Sequence, residues 1–261
     1  MPRINISQSP GYDNQPSFLP DSSAVLFASN RDGKQTDIYR YDIATTQLTQ
    51  LTKTPEAEYS PTMTPDGKTF SVIRVEADNA QRLWRFNLDG SNPRLVLENV
   101  KPVGYHAWMD ATHVALFVLG SPATLQIADT TTGTAEIADS GIGRSMLMRP
   151  KTGAVTYMTT GQSRMIKQFD PKSRTSSNLL APLEGSQDMA WMPDGRQLWM
   201  ANGRVISSAT FGGEKPAAWM PHVDLVTNAS DSSRQPIGSI TRMAISPDGR
   251  WLAFVAEPRT P

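Results

Sequence analysis

The chain has 261 residues, in which 25 Lys and Arg balance 25 Asp and Glu, and it contains no cysteine. The balanced charge gives no global attraction to nucleic acid or to an anionic membrane surface, so recognition must be local. The lack of cysteine excludes disulfides, thiolate metal sites and cysteine nucleophiles. No stretch approaches the roughly 20 apolar residues that span a bilayer. The first ten residues are polar, so a signal for export would lie outside this chain.

A short segment recurs along the chain and divides it into units. It is clearest in residues 18–22 (FLPDS), 63–67 (MTPDG), 191–195 (WMPDG) and 245–249 (ISPDG), with weaker copies at 108–110 and 148–153. The six anchors lie at positions 20, 65, 110, 150, 193 and 247, separated by 45, 45, 40, 43 and 54 residues. This spacing is about the length of one four-stranded propeller blade. We therefore predict an all-β, six-bladed β-propeller that occupies residues 1–261 as one domain.

Strand patterns repeat within the units in the same order. An apolar strand follows each anchor, at residues 25–27, 70–73, 114–118, 155–158, 197–200 and 251–255. Third strands are indicated over 37–41, 82–86, 125–127 and 165–169, and fourth strands over 48–52, 94–97, 134–138 and 177–180. The Asp and Gly residues of the anchors tolerate the positive φ that such hairpin turns require. Three residues before each anchor the side chain is mostly small, as expected where six inner strands surround a central channel.

The two ends of the sequence predict how the ring closes. Residues 3–10 align with residues 48–55, so the chain begins on a fourth strand, whereas the last unit supplies only its first two strands. We expect the N-terminal strand, residues 3–7, to close the last blade as its outer strand, because an unclosed propeller exposes a sheet edge. The third strand of that blade is then missing, either naturally or because residues upstream of Met1 have been lost.

The first and last units carry the most specific segments, QPSFLPD, ASNRDG and DIY within residues 15–39 and SPDGRWLAF at residues 246–254. With these segments the chain resembles the TolB-like propellers, and the related Pro-Asp-Gly-type repeats of prolyl-oligopeptidase-type enzymes. The resemblance implies a periplasmic or otherwise exported protein whose propeller face binds another protein. In that family the partners include a lipoprotein of the cell-envelope Tol system.

Related propellers accompany peptidases, but the sequence shows no catalytic motif of that kind. The sequence contains no Gly-x-Ser-x-Gly elbow and no Gly-rich phosphate loop followed by Lys and Ser or Thr. His106, His113 and His222 show no metal-binding spacing. We therefore predict no catalytic residue, no metal and no cofactor. Carboxylates from different blades could still converge on the axis, and the sequence cannot pair them.

The best candidate site lies five to seven residues before each anchor, where the innermost strands should begin at the mouth of the central channel. Arg and Tyr, which are enriched at binding hot spots, recur in this column. Two interpretations stay open, a site for a polar ligand or peptide and a solvated rim that satisfies loop backbone groups. The candidate binding residues are Asp13, Asn14, Glu58, Tyr59, Tyr105, Arg144, Gln187, Asp188 and Arg242.

The connection between the fifth and sixth units is longer than the others. It includes the segment WMPH at residues 219–222 and a polar run at residues 227–235. Extra residues on one face of a repeat protein often bind a partner, and a surface excursion without function is the alternative.

Taken together, these patterns favour a non-enzymatic, monomeric module that binds a protein or peptide in the cell envelope. The alternatives are a propeller-type lyase or hydrolase that acts on a polysaccharide, and the propeller fragment of a longer enzyme.

Overall fold

The structure is a computed structural model that describes residues 3–213, 217–225 and 237–258, and within these ranges it contains strands and no helix. The first blade consists of β1 (Asp13–Phe18), β2 (Ala24–Ser29), β3 (Asp37–Asp42) and β4 (Leu48–Gln50). The second consists of β5 (Ala57–Met63), β6 (Thr69–Val75), β7 (Gln81–Asn87) and β8 (Arg94–Leu95). The third consists of β9 (Val103–Trp108), β10 (His113–Val118), β11 (Thr124–Asp129) and β12 (Thr134–Ser140).

The remaining strands continue the same order. The fourth blade consists of β13 (Ile142–Met148), β14 (Val155–Thr159), β15 (Ile166–Asp170) and β16 (Thr175–Leu180). The fifth consists of β17 (Met189–Trp191), β18 (Gln197–Asn202), β19 (Val205–Thr210) and β20 (Met220–Asp224). A two-stranded sheet follows, the sixth-unit hairpin, made of β21 (Ile237–Ile245) and β22 (Leu252–Pro258).

The propeller prediction is confirmed, but the number of blades is wrong. Among the described residues five units form antiparallel four-stranded blades, and the sixth unit is the hairpin alone. Its inner strand β21 packs against β17 on one side and β1 on the other, so the hairpin lies between the fifth blade and the first. The sixth position of the ring is therefore filled by half a blade.

The predicted closure by the N-terminal strand is also wrong. No strand is found between residues 3 and 12, and β22 pairs only with β21 among the described strands. The Asn5 side-chain oxygen accepts hydrogen bonds from the backbone N–H groups of Ser7 (3.2 Å) and Gln8 (3.1 Å). Such a local side-chain turn competes with strand pairing. Ile6 then packs on the aromatic cluster of the first blade, Phe27, Tyr39 and Tyr41, instead of joining the hairpin.

The predicted anchor turns form as hairpin turns with the expected chemistry. In the second unit Asp66 Oδ1 accepts the Lys68 N–H at 2.8 Å and Gly67 has a φ of 66°. Asp194 and Asp248 accept hydrogen bonds in the same way, from the N–H groups of Arg196 (2.8 Å) and Arg250 (3.0 Å). These turns set the start of the second strand in each unit and thereby fix which residues of the first strand face the axis.

The hydrophobic core is divided among the interfaces between successive units. Buried apolar clusters join the first blade to the second, the second to the third, the third to the fourth, the fourth to the fifth, and the fifth to the hairpin. Among the described residues no such cluster joins the hairpin to the first blade. A hydrogen bond crosses there instead, from the Asp248 N–H to Ser22 Oγ at 3.1 Å. The interface between the hairpin and the first blade is called the seam below.

A close approach between the first two blades can be tested at Gly90. A Cβ at this position would lie 1.8 Å from the Leu51 backbone oxygen, and the residue has a φ of 80°. We expect Gly90→Ala to lower the free energy of unfolding by about 2 kcal/mol, because overpacking and left-handed strain add. Gly133→Ala is the matched control, since Gly133 has a φ of 73° with nothing within 4 Å of its added Cβ, and it should lose about 1 kcal/mol. Equal losses in urea denaturation would show that the contact with Leu51 is unimportant.

Candidate functional site

The inner strands enclose a cavity of about 620 Å³ along the axis of the ring. All five blades and the sixth-unit hairpin contribute to its wall. Tyr105, Arg144, Asp188 and Arg242, four of the predicted site residues, line it together. They lie five or six residues before the anchors of their units, Asp188 just before β17, and so mark one end of the channel, called the mouth below.

Arg242 connects the walls of the mouth. Its Nη2 donates to the Tyr105 hydroxyl at 2.5 Å, and its Nη1 lies 3.5 Å from Asp188 Oδ1. The guanidinium also lies 4.9 Å from the centre of the Tyr105 ring, within the range of a cation–π contact. Since Arg242 belongs to the sixth unit and Tyr105 to the third, this hydrogen bond runs between opposite sides of the ring.

Asp188, in the fifth unit, is held by donors from the fourth and sixth units. The Met243 N–H donates to its Oδ2 at 2.7 Å, and Ser145 Oγ donates to its Oδ1 at 3.1 Å. Burial raises the pKa of Asp188, and the attraction of Arg242 opposes this shift. The hydrogen bonds of this carboxylate thus position Arg242 and the backbone of Met243.

A hydrogen bond between the side chain of Gln15 and the backbone of Ser60 completes the mouth. Gln15 Oε1 accepts the Ser60 N–H at 2.8 Å, and Gln15 Nε2 lies 3.5 Å from the Tyr105 hydroxyl. Both residues have positive φ, 57° and 54°, and each lies at a bulge where the pairing with the second strand shifts register. Bulges of this kind redirect side chains at the rims of sheets.

Arg144 differs from Arg242 in having no partner. It makes no hydrogen bond or ion pair with the residues that the structure describes, and its Nε is buried. Tyr12 lies close enough for its pKa to respond to both arginines. Burial raises the pKa of Tyr12 to about 12, with Tyr105 adding to the rise and Arg242 and Arg144 opposing it. Tyr12 lies one position before the residues predicted to form the site in the first unit, and the sequence prediction did not include it. Its position next to Asp13 was the signal that could have identified it.

The other five predicted residues lie outside the cavity wall. Asp13 forms an ion pair with Arg31 (3.4 Å), Asn14 accepts the Gln15 N–H (2.8 Å), and Tyr59 packs edge-on against Tyr12 with 6.2 Å between ring centres. Gln187 is exposed in the segment before β17. The fifth, Glu58, is completely buried and lies 3.0 Å from Arg74 Nε.

Glu58 belongs to a buried polar cluster between the first two blades. Its Oε1 accepts hydrogen bonds from Arg74 and from the Thr54 hydroxyl, whereas its Oε2 has no hydrogen-bond partner. Burial raises the pKa of Glu58 to about 7, against the lowering effects of Thr54 and Arg74. Asp37, also buried, adds to the rise. Nothing in the sequence marked Arg74 as the partner.

A serine–histidine contact beside the channel has a structural role. His106 Nε2 lies 2.6 Å from Ser71 Oγ, which also accepts the Trp108 indole N–H at 2.8 Å and lies 3.1 Å from the Thr62 carbonyl. Ser71 has no exposed surface, and His106 Nδ1 has no hydrogen-bond partner to orient the ring as a catalytic base. Burial lowers the pKa of His106 to about 3, so the ring is neutral. The contact fastens the third blade to the second.

The long connection before the sixth unit is partly absorbed by the fifth blade. Residues 220–224 form its outer strand β20, and the Trp219 indole N–H donates to the Ala181 carbonyl at 2.8 Å. The polar run at residues 227–235 lies outside the described residues.

Comparison with solved structures confirms the fold and its likeness to TolB. The chain is similar to a protein of Agrobacterium tumefaciens provisionally named TolB, with 15% identity over 97% of this chain and 93% of that chain and a TM-score of 0.73. It is similar to TolB from Acinetobacter baumannii, with 14% identity over 84% of this chain and 56% of that chain and a TM-score of 0.67. No protein-family model matches the sequence.

An enzyme shares the same architecture. The oligogalacturonate lyase of Vibrio parahaemolyticus matches 98% of this chain and 82% of that chain, with 15% identity and a TM-score of 0.61. At these identities the similarity concerns the fold alone, and fold does not determine function. The function of this chain must therefore be inferred from its own mouth residues.

Proposed function

We propose that this chain is a non-enzymatic propeller that binds a protein or peptide partner at the mouth of its channel, in the cell envelope. The observation that carries the proposal is Arg144, a half-buried cation at the mouth whose guanidinium makes no hydrogen bond or ion pair with the described residues. A buried donor without an acceptor is costly, so such a group is suited to an incoming acceptor. The similarity to the TolB structures supports a binding role and an exported location.

The composition of the mouth supports binding over chemistry. Asp188 is the single carboxylate among the described residues that line the cavity, and it is occupied by Arg242, Ser145 and the Met243 N–H. A glycosidase-type mechanism uses two carboxylates that flank the substrate. Tyr12 and Tyr105 instead supply large, rigid surfaces with a polar tip, which are typical of binding sites.

The proposal predicts that Arg144→Ala weakens partner binding by about tenfold or more, because a charge-assisted hydrogen bond is lost. Peptides are selected from a random display library on the wild-type protein, and their affinities are measured by fluorescence anisotropy. Arg94→Ala is the matched control, since it removes an arginine charge at an exposed position on the outer strand β8, away from the mouth. The proposal fails if selection enriches no peptide, or if both variants bind the selected peptides equally.

A further inference from the structure

The channel changes character along its length. Its mouth presents Tyr105, Arg144, Asp188 and Arg242, whereas the wall farther from the mouth includes the partly buried apolar residues Met63, Met148 and Ile245. The innermost strands run in the same direction, so the polar and apolar groups are separated along the axis. A ligand that fills the channel from the mouth would have one polar end and one apolar end.

The mouth has an excess of positive charge. Arg144 and Arg242 face one ionisable acid, Asp188, so the three side chains carry a net charge of about +1 or more at neutral pH. The Nε atoms of both arginines are buried and without an acceptor, and only 8% of the Arg242 side chain is exposed. The two guanidinium groups belong to the fourth and sixth units, on either side of the fifth, and together are suited to a carboxylate, which accepts hydrogen bonds on both of its oxygens.

We propose that the channel binds the C-terminal end of a peptide, with the terminal carboxylate between Arg144 and Arg242, the apolar side chain of the last residue directed into the channel, and the rest of the peptide leaving through the mouth. This inference rests on the proposed function and names the group that the mouth recognises. Binding replaces the long contact of Arg242 with Asp188 by a shorter contact with the ligand and gives Arg144 its acceptor.

The size of the channel favours a chain end. A cavity of about 620 Å³ lies in the range of small-ligand sites, so it holds a few residues and not a folded domain. A terminal carboxylate enters along the axis with a single strand of peptide behind it. An internal acid would bring two strands through the same opening, between the inner strands of all six units.

The test compares the same peptides with free and amidated C-termini. Fluorescein is attached to the N-terminus of hexapeptides that end in two apolar residues, and their binding to the whole chain is followed by anisotropy. We expect the free acids to bind at least about tenfold more tightly than the amides. We expect Arg144→Gln to remove this difference and Arg94→Gln, on the outer strand β8, to retain it.

Asp188→Asn is expected to change peptide affinity in the opposite direction from Arg144→Gln. It removes the negative charge that competes for Arg242, so the free acids should bind several-fold more tightly, and the amides should be unaffected. Thermal denaturation of each variant confirms that it is folded before binding is compared.

The outcomes separate this inference from the proposed function. If acids and amides bind equally and both need Arg144, the terminal carboxylate is not recognised and the inference is overturned, whereas the mouth remains a peptide site. Equal binding of an amidated peptide with an internal glutamate also overturns it. If no peptide binds and trigalacturonate does, in an Arg144-dependent manner, both proposals are overturned in favour of an acidic saccharide.

Discussion

Replacing Arg74 with methionine is expected to lower the free energy of unfolding by about 3–5 kcal/mol at pH 8, because it leaves an uncompensated charge in the protein interior. Glu58 and Arg74 are 0% and 6% exposed, and their closest atoms are 3.0 Å apart. Arg74 also lies 4.3 Å from the centre of the Trp84 ring, so methionine retains part of its packing while removing its charge. At pH 5 the loss should be smaller, since Glu58 can take up a proton and become neutral.

Urea denaturation at both pH values measures this effect. In the double variant Glu58→Gln, Arg74→Met neither member of the buried pair is charged, and the loss should be clearly smaller than for Arg74→Met alone. Arg174→Met tests the same change at an exposed pair, since Arg174 and Glu136 are 63% and 71% exposed, and it should cost less than about 1 kcal/mol. A single variant no less stable than the double variant would show that the charge of Glu58 is compensated without Arg74.

The stability of the protein is expected to fall between pH 4.5 and pH 7 through Glu58. Burial raises its pKa from 4.5 to about 7, so in this interval the folded protein holds a proton that the unfolded chain has released. The stabilising contribution is complete below pH 4.5 and is lost as the pH rises through 7. The pKa difference corresponds to about 3 kcal/mol, since one pKa unit is about 1.4 kcal/mol.

Other groups with shifted pKa values also make stability depend on pH and must be separated from Glu58. Asp188, whose pKa is also raised by burial, acts in the same direction. His106 acts in the opposite direction, because its folded pKa of about 3 is below the ordinary value and its contribution is lost as the pH falls from about 6.5. Glu58→Gln is therefore compared with the wild type at each pH. If their difference in unfolding free energy is constant from pH 4.5 to pH 8, Glu58 does not titrate in this range.

The repeat could be predicted from sequence because its turns are encoded locally. Asp66 and Asp194 each accept the N–H two residues later, and the glycines that follow them have positive φ, so each short segment determines its own hairpin. The spacing between these turns then indicated the propeller. The blade count was wrong because a repeat marks only the first hairpin of a unit, and the sixth unit has that hairpin without further strands among the described residues.

The N-terminal segment shows where local similarity misleads. Residues 6–10 match residues 51–55, yet residues 48–50 form β4 and residues 3–5, which align with them, do not form a strand. Strand formation depends on a partner edge, and that dependence is not encoded in the segment. The Asn5 turn, a local feature, was the signal against a strand.

The site was predicted in part, for a geometric reason. Counting back from each anchor identified Tyr105, Arg144, Asp188 and Arg242 because regular strands place equivalent residues at equivalent depths along the axis. The same count placed Glu58 at the mouth, but the bulge at Ser60 interrupts the alternation, and Glu58 is directed into the blade interface instead. The partner Arg74 is 16 residues away on another strand, and only the fold brings the two together.

The hydrogen bond between Arg242 and Tyr105 also has a mechanical consequence. Apolar clusters join every pair of neighbouring units in the described residues except at the seam. A force that opens the ring is therefore resisted least where the sixth-unit hairpin meets the first blade. The hydrogen bond of Arg242 to Tyr105 crosses the ring and opposes this opening, because the hairpin cannot move outward without stretching its bond to the third blade. Arg242, which recognises the ligand, would then also restrain the sixth-unit hairpin. Ligand binding at the mouth would therefore change how readily the seam opens.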